Sequence, residues 1–237
     1  MDYIFAPGCA LLLYRPELAK AAHQHLVSAY GEMEMLLTCC RHIPPIADGT
    51  TVINVCPGCD RRYREGYTTP RTISLWELLV DSETFPFPRH GPIEMTILDA
   101  CPTRTRDQIH DAIRTLAAKM GIEVVEPKKT RQNQTCCGDI AYGKVPTTRV
   151  IDQMKAKAHG MPDGDIIVYC VSCVKAMFVG SRQPRYMLDL LFSMDTVAQT
   201  FDPDAWHAEL DAFVESHAKY ETWVWQCDRL LDRAFSE

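Results

Sequence analysis

Apolar and polar positions along this chain fall into short blocks that switch between two periods. "DYIFAPG" (2–8) and "EMTILDA" (94–100) are apolar runs of strand length, and each ends at a cysteine, Cys9 or Cys101. A helical stripe follows each: Leu18, Ala21, Ala22, His25, Leu26 and Ala29 in the first, and Ile109, Ala112, Ile113, Leu116, Ala117 and Met120 in the second. Both stripes use the offsets i, i+3, i+4, i+7, i+8 and i+11, which predicts two equivalent amphipathic helices. Gly31 and Gly121 stand where a C′ glycine ends a helix. Second strands are predicted at "MEMLL" (33–37) and "IEVVE" (122–126), and third strands at "TVINVC" (51–56) and "DIIVYC" (165–170). Further helices are predicted at "ISLWELLV" (73–80) and "YMLDLLF" (186–192).

Strands alternating with helices predict an α/β fold with mainly parallel sheets. Because the order repeats, the expected architecture is two tandem, pseudo-symmetric Rossmann-like units, over 1–88 and 89–200, followed by a C-terminal helical extension over 201–237. "FPFPRHGP" (85–92) reads as the linker between them. The units differ in one place. Fifteen residues separate Cys40 from Cys56, whereas thirty-two separate Cys137 from Cys170. The longer stretch holds "TTRVIDQMKAKAHG" (147–160), a helical pattern that the first unit replaces by "RHIPPIADGT" (41–50). In the extension, Trp206, Leu210, Phe213, His217, Tyr220, Val224, Cys227 and Leu231 form a stripe at helical spacing, expected to pack on the body. Cys227 is read there as a small apolar side chain and not as a ligand.

The 46% of apolar and 24% of charged residues suit a globular protein with a proper core. A net charge of −6 and a pI near 5.8 argue against nucleic acid or an anionic membrane surface as the main partner. The apolar runs fall short of the roughly 18–20 residues that span a bilayer. The opening segment carries Asp2 and no basic stretch, so it does not read as a signal peptide, and a cytoplasmic location is expected. Eleven cysteines in a reducing compartment point to metal or redox chemistry more than to disulfides.

Ten of the eleven fall into two series of the same order: Cys9, Cys39-Cys40 and Cys56-Pro-Gly-Cys59, then Cys101, Cys136-Cys137 and Cys170-Val-Ser-Cys173. Most directly follow predicted parallel strands, at the sheet edge where α/β proteins place their sites. A structural zinc ion takes four ligands, so a fifth thiol in each series would be superfluous. Neighbouring side chains diverge, which makes a Cys-Cys pair awkward for one small ion and better suited to an object with several metal atoms, such as an iron–sulfur cluster. A thioredoxin-type dithiol is the other reading of "VINVCPGCDRRY" (52–63). The second copy, CVSC, lacks the proline, and both copies carry further cysteines upstream.

The doubled C…CCG…CxxC pattern, with "GC" (8–9), "CCG" (136–138) and "YCVSC" (169–173), resembles the cysteine-rich CCG domain. In layout it is most similar to the B subunit of heterodisulfide reductase, over nearly all of residues 1–195. The resemblance implies two [4Fe-4S] clusters of non-cubane type. Cys9, Cys39, Cys40, Cys56 and Cys59 would hold the first, and Cys101, Cys136, Cys137, Cys170 and Cys173 the second. Two departures bear on the type of the first cluster: the first motif reads CCR, with Arg41 in the place of a glycine, and its spacing to CxxC is about half the usual length.

The same resemblance implies reductive cleavage of a small-molecule disulfide, or the reverse oxidation of two thiols, with the substrate at the junction of the halves. Wider members of the group serve as electron-relay subunits of dehydrogenases, which is the alternative expectation. A cluster-bearing sensor or scaffold is a third. His42 is a candidate proton donor. Arg41, Arg61, Arg62, Arg104, Arg106 and Lys175 are candidates for holding an anionic substrate or tuning a potential. The chain has neither the C-x2-C-x2-C-x3-C-P run of a bacterial ferredoxin nor a GxGxxG fingerprint. A partner protein carrying Fe–S or flavin is therefore expected as electron donor. The sequence leaves the oligomeric state open.

Overall fold

The computed structural model describes residues 2–39, 44–66, 71–198 and 202–218. It contains two four-stranded, all-parallel sheets with the same strand order. In the first, strands β1 (Tyr3–Ala6), β2 (Glu34–Met35), β3 (Thr51–Asn54) and β4 (Arg71–Ser74) lie in the order β2-β1-β3-β4. In the second, β5 (Ile93–Leu98), β6 (Ile122–Val125), β7 (Ile166–Val168) and β8 (Pro184–Tyr186) lie in the order β6-β5-β7-β8. The chain is thus an α/β protein of two Rossmann-like units.

Helices α1 (Cys9–Tyr14) and α2 (Pro16–Tyr30) join β1 to β2, while α3 (Pro57–Gly66) joins β3 to β4 and α4 (Leu75–Val80) follows β4. In the second unit a short 3-10 turn (Cys101–Thr103) and α5 (Asp107–Lys119) join β5 to β6, and α6 (Thr147–His159) precedes β7. Helix α7 (Val171–Val179) joins β7 to β8, α8 (Met187–Leu191) follows β8, and α9 (Pro203–Ala218) ends the described chain. The extra helix expected over 147–160 is therefore present as α6. Residues 44–50 of the first unit carry no helix.

Central strands β3 and β7 are buried on both faces, which is why they read as unbroken apolar runs and not as alternation. The stripe of α5 turns inward, with Ile109, Ala112, Ile113, Leu116, Ala117 and Met120 all buried. On α2 the inward face is narrower. Leu18, Ala19, Ala22 and Leu26 are buried, but Ala29 is exposed. Both units contribute to one large apolar core, with Trp76 and Phe5 of the first and Ile167 and Leu188 of the second all fully buried.

The structure corrects the expectation for 73–80 and 186–192. Ile73 and Ser74 belong to β4 and Tyr186 to β8, and the helices begin only after them. These fourth strands are short and lie at the sheet edges, where a proline such as Pro184 removes no needed ladder bond. Ser74 then caps α4 in a capping box with Glu77. In both units the second cysteine of CxxC lies inside a helix, α3 or α7.

The linker is fastened to both units. Phe85 packs edge-on against His25 (4.8 Å between centroids) and Phe192 (5.7 Å), and a His90 ring nitrogen lies 2.9 Å from the Leu190 carbonyl. Trp206 and Val214 bury one side of α9, which packs against α1 and α6. Of the predicted stripe, Leu210, Phe213 and His217 are half-buried on α9, while Tyr220, Val224, Cys227 and Leu231 lie outside the described residues. Among the described residues no helix is long and apolar enough to cross a membrane.

Candidate functional site

The second cysteine set is built by three chain reversals at one end of its sheet. Cys101 opens the 3-10 turn beyond β5, Cys170 is the N-cap of α7 beyond β7, and Cys136-Cys137 lie on the loop between β6 and α6. The Cys101 thiol donates to Cys136 Sγ at 3.5 Å, and the Gly138 amide donates to the same sulfur at 3.3 Å. Cys137 bonds to Cys136 and Cys173, and Cys173 to Cys170. All five sulfurs therefore form one continuous chain of contacts.

Two members of that chain are held toward the thiolate form. Thiol donation from Cys101 and Cys137, aided by the Gly138 and Ile140 amides, pulls Cys136 far down against the effect of burial. Donation from Cys173 does the same for Cys170, helped by the Ser172 and Cys173 amides at the start of α7. Cys101, Cys137 and Cys173, whose sulfurs face these neighbours, are pushed up.

Asp99 organises the ground beneath this set. Its carboxylate accepts both Arg114 guanidinium nitrogens (2.9 Å each), the Arg131 amide (2.7 Å), and the hydroxyls of Thr130 (3.0 Å) and Tyr169 (3.1 Å). The Tyr169 hydroxyl also accepts the Ala100 amide (3.0 Å) and meets Thr103 Oγ1 (2.9 Å). The residues just before Cys101 are thus tied to the residue just before Cys170.

In the first set, Cys9 begins α1, Cys39 follows β2, Cys56 follows β3, and Cys59 lies in the first turn of α3. Cys39 donates to Cys59 Sγ at 2.9 Å. Gly8 has φ +92°, and a Cβ there would come within 3.0 Å of Cys56 Cβ and 3.1 Å of Cys59 Sγ. Only a glycine lets the backbone pass this closely. Cys40, Arg41 and His42 lie outside the described residues.

The two sets meet at the junction of the units. Helix α3, with Cys59, packs against the Cys101 turn, and α1, with Cys9, packs against α7, with Cys173. Tyr186 is buried at the same junction, and its phenol is pushed up by burial and then by Cys56 of one set and Cys170 of the other. Tyr14 stands edge-on to it at 5.9 Å.

Reciprocal arginines lock this arrangement. Arg15, the N-cap of α2, donates to Asp189, the third residue of α8, at 2.7 Å. Arg106, the N-cap of α5, donates to both oxygens of Glu77, the third residue of α4, at 3.2 and 3.0 Å. Each unit thus grips the other through equivalent positions, as a pseudo-two-fold requires. Arg106 also reaches Asp60, the buried neighbour of Cys59.

Other candidates from the sequence fall in different places. Lys175 is fully buried, ion-paired with Asp139, and stands 5.4 Å from the Trp206 ring centre. Asp139 also accepts Ser172 Oγ (2.6 Å) and contacts His207 Nε2 (3.2 Å), which ties the CCGD loop, the CxxC helix and α9 together. Arg104 donates to the Gln134 carbonyl at 2.9 Å, and Arg61 is half-buried on α3. Sequence reading missed Lys157 on α6, whose Nζ donates to Gln134 Oε1 and, at 3.1 Å, to Thr135 Oγ1. It also missed Tyr186. Both lie well away from their cysteine neighbours in sequence except Lys157's link to the 134–137 loop, and no local pattern marks either.

Among the described residues no three His, Cys, Asp or Glu side chains stand as a site for one metal ion. The sulfurs of the second set run as a chain and do not surround a point. The donors nevertheless suit a thiolate-held cluster: all are sulfurs, amides already point at two of them, and Gly8 leaves a close approach that any Cβ would fill. Gln134 Nε2, two residues before Cys136, is buried without a hydrogen-bond partner, a donor that an added sulfide or thiolate would satisfy.

The architecture defines a two-unit α/β protein with one cysteine-rich site per unit. No protein-family model matches the chain, and no curated protein does. Among solved structures it is similar to Picrophilus torridus aspartate racemase, at 11% identity and a TM-score of 0.35 over 92% of this chain and 95% of that one. A likeness that loose carries no argument about function.

Proposed function

We propose that this chain is a two-centre iron–sulfur redox protein, resembling the B subunit of heterodisulfide reductase, that reduces a small-molecule disulfide or oxidises two thiols. The observation supporting this is the pair of thiol sets at the same edge of two equivalent sheets, meeting at Tyr186. Cys9, Cys39, Cys40, Cys56 and Cys59 would hold one [4Fe-4S] group and Cys101, Cys136, Cys137, Cys170 and Cys173 the other, both of non-cubane type. When bound, such clusters supply the two electrons that cleavage of a disulfide consumes.

The residues around them serve that chemistry. Amides of Gly138, Ser172 and Cys173 stabilise sulfur anions, and the crossed arginines fix the spacing of the two sets. Cys56, Cys101, Cys136 and Cys170 remain partly exposed, which leaves a small substrate an approach and favours a reductase over a sealed relay. Cleaving one disulfide takes two electrons and two protons and releases two thiols. The electrons come from a partner protein carrying Fe–S or flavin. Thiols that must stay reduced support a cytoplasmic location in this reading.

Anaerobically purified protein should hold about eight irons and about eight acid-labile sulfides. With an artificial donor it should release thiols from small disulfides, and the substrate should alter the cluster EPR signals. Stoichiometric zinc with little iron would sink the cluster reading. Clusters whose spectra ignore a broad panel of thiols and disulfides, yet exchange electrons with a protein, would replace the reductase by the relay.

A further inference from the structure

Lys157 is half-buried, and its Nζ is held by two neutral oxygens, Gln134 Oε1 and Thr135 Oγ1. No carboxylate is within ion-pair distance of it among the described residues. An ammonium drawn partly out of water and held by neutral acceptors is better stabilised when negative charge stands nearby. The thiols of the second set supply that charge once a bound cation has displaced their protons. Burial pulls Lys157 down, while Cys173, Cys137 and Cys136 favour its charged form and Lys129 opposes it. Thr135 immediately precedes Cys136, so the ammonium is fastened to the edge of the vicinal-thiol loop. Lys157 sits on α6, the helix for which the first unit has no counterpart in residues 44–50.

We infer that Lys157 is the counter-cation of the second thiol set, balancing the anionic thiolate complex that forms there. The inference deepens the cluster reading and rests on it only for iron. A divalent cation bound by three or more thiolates likewise carries excess negative charge. With iron bound, a fixed positive charge beside the second set favours the reduced state of that centre.

The first test uses the apo full-length protein and Cd(II) alone, followed by sulfur-to-cadmium absorption, in a Cys39→Ser, Cys56→Ser, Cys59→Ser background so that the second set dominates. Lys157→Met should weaken Cd(II) binding about tenfold or more, the effect of removing one charge several ångströms away at an effective dielectric near 20. Lys157→Arg should restore it to within about twofold, because the charge returns. Lys155→Met, an exposed lysine on the same helix, should change nothing. Unchanged binding in Lys157→Met, or a Lys157→Arg as weak as the Met variant, would overturn the inference. The second test is spectroelectrochemistry of iron-loaded protein. Lys157→Met should lower the midpoint potential of one cluster and leave the other in place, and equal movement of both, or of neither, would refute it. If the protein takes up no iron, the cluster reading fails while the cadmium titration still judges Lys157.

Discussion

Arg106 offers the most direct test of how the two thiol sets are held in register. Replacing it with Gln removes four hydrogen bonds that cross between the units, two to Asp60 (3.2 and 3.0 Å) and two to Glu77 (3.2 and 3.0 Å). The Asp60 side chain is 1% exposed and that of Arg106 15% exposed, so the pair lies largely out of water. Stripping one partner from such a pair costs about 3–5 kcal/mol, because the other charge stays buried. Two contacts soften the loss. Arg64 still bridges Asp60 at 2.9 Å, and Glu77 still accepts the Ser74 amide at 3.0 Å. The expected loss is therefore about 2–3 kcal/mol. Arg106→Lys should recover little of it, since one ammonium cannot span two carboxylates as a guanidinium fork does. Urea unfolding of the anaerobic apo protein measures the effect directly, with the slope checked for constancy. Arg15→Gln should cost a similar amount, because Asp189 is fully buried and the position is equivalent. A loss below about 0.5 kcal/mol at unchanged slope, the level of an ordinary surface substitution, would show that the crossed arginines do not hold the units together.

Three further outcomes are expected. Burial raises the Asp99 pKa, but the Arg114 fork and the Arg131 amide outweigh it and hold the carboxyl at about 2, below its ordinary 3.8. A carboxyl depressed this far contributes about 2.5 kcal/mol, fully present above about pH 4 and lost as pH falls toward 2. Asp99→Asn should remove most of that acid dependence, and an unchanged slope of stability between pH 4 and pH 2.5 would contradict the assignment. Cys136→Ser and Cys137→Ser should each disturb the second cluster and leave the first spectroscopically recognisable; loss of both on either change would argue for a single shared site. Gly8→Ala should lower metal uptake by the first set alone, because a Cβ at φ +92° meets Cys56 and Cys59 at 3.0 and 3.1 Å, and equal uptake by the variant would show that the turn has room to spare.

Periodicity and cysteine order alone were enough to read the doubled α/β plan, the inward stripe of α5, the helix α6 that has no counterpart in the described residues 44–50, and the grouping of thiols at strand ends. These features are local: a strand or helix writes its buried face into neighbouring positions, and a repeated unit writes it twice. The short edge strands β4 and β8 were not legible, because RTIS and PRY carry no apolar run of their own and lead straight into the apolar pattern of the following helix. Burial of Lys175 against Asp139, the placement of Tyr186 between the sets, the crossed grips of Arg15 and Arg106, and the seat of Lys157 on Gln134 and Thr135 came only from tertiary structure. Each joins positions far apart in the chain, and the side chain's role follows from the neighbour that packing brings to it, not from the residues beside it in sequence. Lysine at 157 reads as an ordinary polar position of an amphipathic helix until the fold lays that helix along the thiol loop.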